Sequence, residues 1–186
     1  MSLTPKSLIA RFIRGQAGLA RDERGVTAIE FGLLALPFFA IIGAILETAL
    51  IFIAGQVLQS AIEDSSRLVR TGQAQEARMT IAAFRNDLCG RTYGLFGDCS
   101  GIFIDLREVG NFTSATVTAP VNRSCTQNCT WTRSQRFEPG GGSAVVLAEV
   151  YVRWRTVIGL DLGFNNLGDR TRLLGGITLF RSEPFV

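Results

Sequence analysis

The chain has 186 residues, 47% of them hydrophobic, with Lys+Arg 19 against Asp+Glu 16, no histidine and four cysteines. A formal charge of +3, evenly mixed with acids, is too weak for a protein whose affinity rests on neutralising phosphates, which excludes a nucleic-acid partner. Without histidine the usual general acid/base and the commonest metal ligand are missing, and no nucleophile with a base, phosphate loop or metal motif is visible; the expectation is a protein that is not an enzyme and carries no cofactor or metal.

The first 25 residues are basic, carrying Lys6, Arg11, Arg14, Arg21 and Arg24. From Phe31 to Ala54 follow 24 residues in which Glu47 is the only ionisable side chain. As a helix this run reaches roughly 36 Å, enough to cross a hydrocarbon core of about 30 Å with some tilt. It reads as one transmembrane helix. Basic flanks stay preferentially cytoplasmic, and residues 55 to 74 carry only Arg67 and Arg70. That predicts a cytoplasmic amino terminus and an extracytoplasmic carboxy-terminal part. A secretory signal peptide fits less well: the apolar core is too long, and Phe52 stands where the outer small residue of a cleavage site belongs. No cysteine lies near the segment to take a lipid.

The near end of the span is the most informative stretch. A charged run closes at Gly25, four uncharged residues follow, and Glu30 then stands at the edge of an otherwise apolar helix. A carboxylate among lipid tails is costly, about 2.5 to 3.5 kcal/mol at the bilayer centre. The bland explanation is the helix macrodipole, worth about 0.3 to 1 kcal/mol for an acid in a first turn. Glu47 lies past the middle of the span, roughly 7.5 Å from the bilayer centre, too deep for its short stem to snorkel. It reads as the pairing partner of another subunit, with protonation in place or a water-accessible site as the alternatives. Pro37 frees a backbone acceptor and is expected to loosen or bend the helix.

Gly25, four residues, then Glu30-Phe31 resembles the prepilin processing site of type IV pilin-like proteins. The longer stretch from Arg24 to Pro37, with Ile45-Leu46-Glu47 and the continuing Ala61 to Gly72, resembles the TadE-like family, minor pseudopilins of the tight-adherence (Tad, or Flp, type IVb) pilus; Phe180 to Phe185 is similar to the way family members close. The resemblance is specific over residues 24 to 72 and loose beyond it. It implies cleavage between Gly25 and Val26 by a membrane-embedded prepilin peptidase, leaving a mature chain of 161 residues that begins at Val26. It further implies processing and assembly roles for Glu30 and Phe31, with other minor pseudopilins and the pilus assembly platform as partners in the bacterial inner membrane. The chemistry agrees, because cleavage creates an amine on Val26 that Glu30, four residues along the helix, can neutralise in the same or a neighbouring subunit. Gly25 lets a protease backbone approach an extended scissile bond; the plain alternative is a flexible junction.

Beyond the membrane, Val57, Leu58, Ala61, Ile62, Ser65, Leu68 and Val69 recur at three- and four-residue intervals, so the helix is expected to continue with one face against a core. Gly72 is the expected cap, and a second short helix is expected to carry Ala77, Ile81, Phe84 and Leu88 on one face. Period-two patterns predict strands at 102–107, at 112–119, at 144–158 with Val146, Ala148, Val150, Val152, Trp154 and Thr156 on a buried face and the other face wet, and at 177–181 after Gly175-Gly176. The expected architecture is α+β: a long amino-terminal transmembrane helix continuing into an amphipathic helix packed on an antiparallel sheet, which is also what a pilin-like protein looks like. The expected divisions are a leader at 1–25, the helix and its extension at 26–72, and a periplasmic α+β domain at 73–186.

Four cysteines suit an oxidising compartment. Three connectivities are open, and Cys89 with Cys99 and Cys125 with Cys129 is favoured because each closes a short local loop. Neither spacing is the CxxC of a zinc site. Sequons at Asn111, Asn122 and Asn128 arise easily by chance. Two functions follow from different classes: a processed pseudopilin acting in pilus assembly for surface adherence, or an unprocessed single-pass inner-membrane protein with a periplasmic ligand-binding domain. Processing after Gly25 separates them.

Overall fold

A computed structural model describes residues 25–156 and 163–185 of the chain. Residues 1–24, which hold nearly all of the expected leader, lie outside it. Two compact units divide the chain between Ile45 and Leu46.

Helix α1, Val26–Arg70, runs through both units. It is the one helix among the described residues long and apolar enough to cross a membrane, with a mean hydropathy of 2.3 over its most apolar window. Within the first unit its large apolar side chains are exposed, Phe31 at 71% and Leu36 at 75%. Nothing polar interrupts them between Phe31 and Ile45, so lipid is the solvent that suits this surface. The helix continues through Pro37, which leaves the Leu33 carbonyl without its usual donor.

In the second unit α1 becomes one-sided. Ile51, Ala54, Leu58, Ala61, Ile62, Ser65 and Val69 are buried, as the three- and four-residue spacing requires. Gly72 ends the element at φ 81°, and the Phe185 ring packs where a side chain would begin, within 2.8 Å of an added Cβ. A short turn of helix, α2 at Gln73–Glu76, precedes α3 at Ile81–Gly90, where the Thr80 hydroxyl caps by accepting the Ala83 N–H at 3.2 Å. Phe84 and Leu88 face the core as expected. Ala77 does not: it falls between the two helices and is exposed, and Ala74 takes the buried place.

Strands β1 (Phe103–Val109), β2 (Arg136–Phe137), β3 (Val145–Arg155) and β4 (Thr171–Arg181) form one sheet in the order β2-β1-β3-β4. The three long strands are antiparallel, with Asp105 opposite Glu149 and Glu149 opposite Ile177. The sheet is mixed rather than purely antiparallel because two-residue β2, at the end of a long loop, joins β1 in parallel. On the face toward α1, Ile104, Leu106, Val146, Ala148, Val150, Val152 and Leu174 make the main core with the helix stripe. Each large side chain fully buried there contributes about 1.5–3 kcal/mol.

Three further expectations are corrected. Residues 112–119 do not form a strand: Phe112–Ser114 is a single 3-10 turn held by a reciprocal Asn111–Ser114 cap, and the carbonyls of Thr116 and Thr118 are taken by Arg107 and Arg133 at 2.7 and 2.6 Å. With side chains satisfying its backbone, the segment needs no ladder. Gly175 and Gly176 lie inside β4 rather than before it. An added Cβ at Gly176 would stand 3.0 Å from Ile62 and 3.1 Å from the Leu58 carbonyl, so glycine here admits the close approach of α1. The third correction concerns the far face of the sheet, where Leu147, Glu149 and Tyr151 are buried instead of wet. β3 ends at Arg155, so the strand expected through Thr156 stops one residue earlier, and the rest of the expected continuation, Val157 and Ile158, lies outside the described residues.

Candidate processing site and assembly surface

The amino-terminal site is simple. Gly25 immediately precedes the first residue of α1, Val26, and an added Cβ at Gly25 would meet nothing within 4 Å. Glu30 is the fifth helical residue, beyond the first turn, which holds no acid; it sits one turn above Val26 and is exposed, as is Phe31. Side chains on a helix lean toward its amino terminus, so the Glu30 carboxylate is on the same face as Val26 and tilted to its level. The macrodipole falls off within the first turn and is a weak account of an acid here.

Glu47 has a different setting. It is only 1% exposed, in the unit that begins at Leu46. The sequence placed it in lipid because the apolar run extends to Ala54; tertiary packing of α1 from Ile51 onward shows that the last part of that run belongs to the folded domain.

The cysteines pair as Cys89–Cys99 and Cys125–Cys129. The second loop belongs to a covering layer, residues 115–137, whose attachment to the sheet no sequence pattern announced. Beneath it, Asp105 and Glu149 stand side by side on β1 and β3, both fully buried. Two adjacent carboxylates would repel. Arg107 spans them, Nη1 to Asp105 at 2.8 Å and Nη2 to Glu149 at 2.9 Å. Arg133 spans them again from the covering layer, at 3.1 Å to each, and Arg136 adds a contact to Asp105 at 3.2 Å. The Arg133 guanidinium also lies over the Phe103 ring, whose neighbours are Trp131 and Tyr151. Tyr151 donates its hydroxyl to Glu149 at 2.9 Å. Burial, and then that hydrogen bond and the Glu149 charge, push the Tyr151 hydroxyl well above its ordinary value, so it stays protonated.

A second anchor lies at the disulfide. Arg153 donates to the Cys129 carbonyl and stacks on Trp131 at 5.3 Å, while Asp169 accepts the Cys129 N–H at 3.2 Å. Burial works to raise the Asp169 carboxyl, but hydrogen bonds from Thr171 and Cys129, with the Arg153 charge, outweigh it and hold the group below the usual carboxylate range. Val121, Cys129 and Leu167 form a small apolar cluster of their own there. The composition signal that was available was two arginines, Arg133 and Arg136, in a stretch otherwise short of charge, beside strands that carry Asp105 and Glu108 in β1 and Glu149 in β3. Only the β1–β3 register brings the acids together.

These observations define an α+β protein with, among the described residues, one candidate membrane helix and a domain that holds two disulfides. The comparison with known families makes the class specific: residues 25–67 match the model of the family described as TadE-like protein. Over this stretch the chain is similar to that family, and the helix it covers is the candidate membrane helix. The match opens on Gly25 and closes within the buried stripe of α1. No curated protein and no solved structure matches the chain significantly.

Proposed function

We propose that this chain is a minor pseudopilin, cut between Gly25 and Val26 by a prepilin peptidase and acting in assembly or initiation of a Tad-type pilus rather than as an enzyme. The observation that carries the reading is the start of α1: the TadE-like match opens on Gly25, the helix on Val26, and Glu30 follows one turn later on the same face. Cleavage there frees an amine at the end of an apolar helix. A charged amine and a carboxylate that neutralise each other remove the desolvation cost either would carry alone, within one subunit or between two. In this reading the amino terminus faces the cytoplasm, the folded domain lies in the periplasm, and the exposed apolar face from Ile29 to Ile45 packs against other minor pseudopilins or the assembly platform.

The test is the amino terminus and intact mass of the protein from membranes of cells with and without the prepilin peptidase. The expected result is a chain starting at Val26 only when the peptidase is present. A chain starting at Met1 in both would make it an anchored protein with a periplasmic binding domain, and would end the pseudopilin reading. Glu30→Ala sharpens the result: processing is expected to continue while pilus assembly falls, and undiminished assembly would remove the amine-pairing role.

A further inference from the structure

β4 is an edge strand of 11 residues, and its outward backbone groups follow a pattern. An unpaired edge of this length offers a row of N–H and C=O groups on which another strand can add. Here the odd-numbered residues point outward. The Ile177 N–H donates to Gln59 Oε1 at 3.0 Å and the Ile177 carbonyl accepts from Gln59 Nε2 at 3.1 Å. Four residues earlier the Leu173 N–H donates to Asn166 Oδ1 at 2.7 Å and its carbonyl accepts from Asn166 Nδ2 at 3.4 Å. A primary amide thus stands in for one residue of a neighbouring strand at both places. Glu63 braces the first amide, accepting from Gln59 Nε2 at 2.6 Å. The row closes at one end where the Thr171 carbonyl accepts the Asn166 and Leu167 N–H groups, and at the other where the Glu183 N–H reaches the Arg70 carbonyl at 2.8 Å. Among the described residues, the outward backbone groups of Gly175, Leu179 and Arg181 meet no partner.

We infer that Gln59 and Asn166 are guards that hold the β4 edge closed against strand addition by a second copy of this chain. With both in place, the open rungs are a single one at Gly175 and a short run at Leu179 and Arg181. Removing Gln59 joins these into one run from Gly175 to Arg181, the length of an ordinary strand. Removing Asn166 opens only Leu173 and Gly175. The second copy is the fitting occupant because β4 can pair with itself in antiparallel fashion about a two-fold axis at Ile177. That register sets Gly175 against Leu179 and Ile177 against its own copy, rungs that Gln59→Ala leaves open in both strands, with no like charges opposed. Gln59 occupies the central rung of that pairing. Leu, Ile, Thr and Phe in β4 supply the β-forming residues such a pairing needs. Guarding of this kind lets a subunit with a long edge strand exist at high local concentration in a membrane without pairing sheet to sheet.

The experiment uses the full chain in detergent micelles, with mass measured by light scattering after size separation. Gln59→Ala is expected to double the protein mass of the wild-type particle, and Asn166→Ala to leave it nearly unchanged. Adding Leu179→Pro to Gln59→Ala is expected to restore the wild-type mass, since it removes an outward N–H that bonds nothing in the monomer. An unchanged mass for a folded Gln59→Ala chain, or an increase that Leu179→Pro does not reverse, would overturn the inference. Should Gln59→Ala fail to fold, amide exchange in the wild-type protein decides: the Ile177 and Leu173 amides are expected to exchange at least about tenfold more slowly than those of Gly175 and Leu179. Equal rates would overturn it.

Discussion

The two faces of the sheet are buried by different chemistry. Toward α1, aliphatic side chains at period two meet a helix stripe at period three to four, and stability accrues with apolar area. On the opposite face a loop is drawn down by three arginines on two buried acids, with aromatic rings between. A buried ion cluster adds little net stability over an apolar replacement, but losing one member leaves a charge stranded without water. The apolar face therefore sets whether the domain folds. The charged face sets where one loop lies.

The largest effect that would break this contrast is at Arg133. Arg133→Ala leaves Asp105 and Glu149 with one bridging guanidinium instead of two and is expected to cost about 3–5 kcal/mol by denaturant unfolding. The partner variant Glu149→Gln should then cost less in the Arg133→Ala background than in the wild type, because the charge it removes is already stranded. A loss below about 1 kcal/mol at Arg133 would mean that the aromatic contacts, not the charges, hold the layer.

On the apolar face, Leu58→Ala is expected to cost about 2–5 kcal/mol through a cavity at a fully buried site. Salt sharpens the comparison: the Arg133→Ala loss should shrink as salt rises, while that of Leu58→Ala should not. Equal salt responses would show that the two faces do not differ in kind.

The smallest effect is on acidification. Asp169 titrates below its unfolded value, so its contribution is present above about pH 4 and is lost as pH falls through the lowered folded value. Asp169→Asn should lower the melting temperature slightly at neutral pH and flatten the decline on the acid side. An unchanged acid limb would show that the Cys129 anchor contributes nothing to it.

How much of this was legible follows the same division. The stripe from Leu58 to Val69, the inward residues of β3, the Gly72 cap and both disulfides could be read because each rests on local periodicity, a local backbone need or a short loop. The burial of Glu47 could not be read, because an apolar run looks the same whether lipid or a sheet covers it. The 112–119 segment has strand composition, yet Asn111, Arg107 and Arg133 satisfy its backbone from elsewhere. Gly175-Gly176 looked like the lead-in to a strand, since a sequence does not reveal that a helix crosses there.

The sequence by itself determined the candidate membrane helix, the Gly25–Val26–Glu30–Phe31 arrangement, the α+β plan and the cysteine pairing, because these depend on residues within a few turns or one loop of each other. Tertiary structure alone decided that the far side of the sheet is dry, that Asp105 and Glu149 share Arg107 and Arg133, and that Gln59 closes an edge 118 residues away. The reason is physical. Apolar burial leaves a periodic trace in the chain, whereas a buried charge or an amide on a strand edge is defined by its partner, and the partner is fixed only by register and packing.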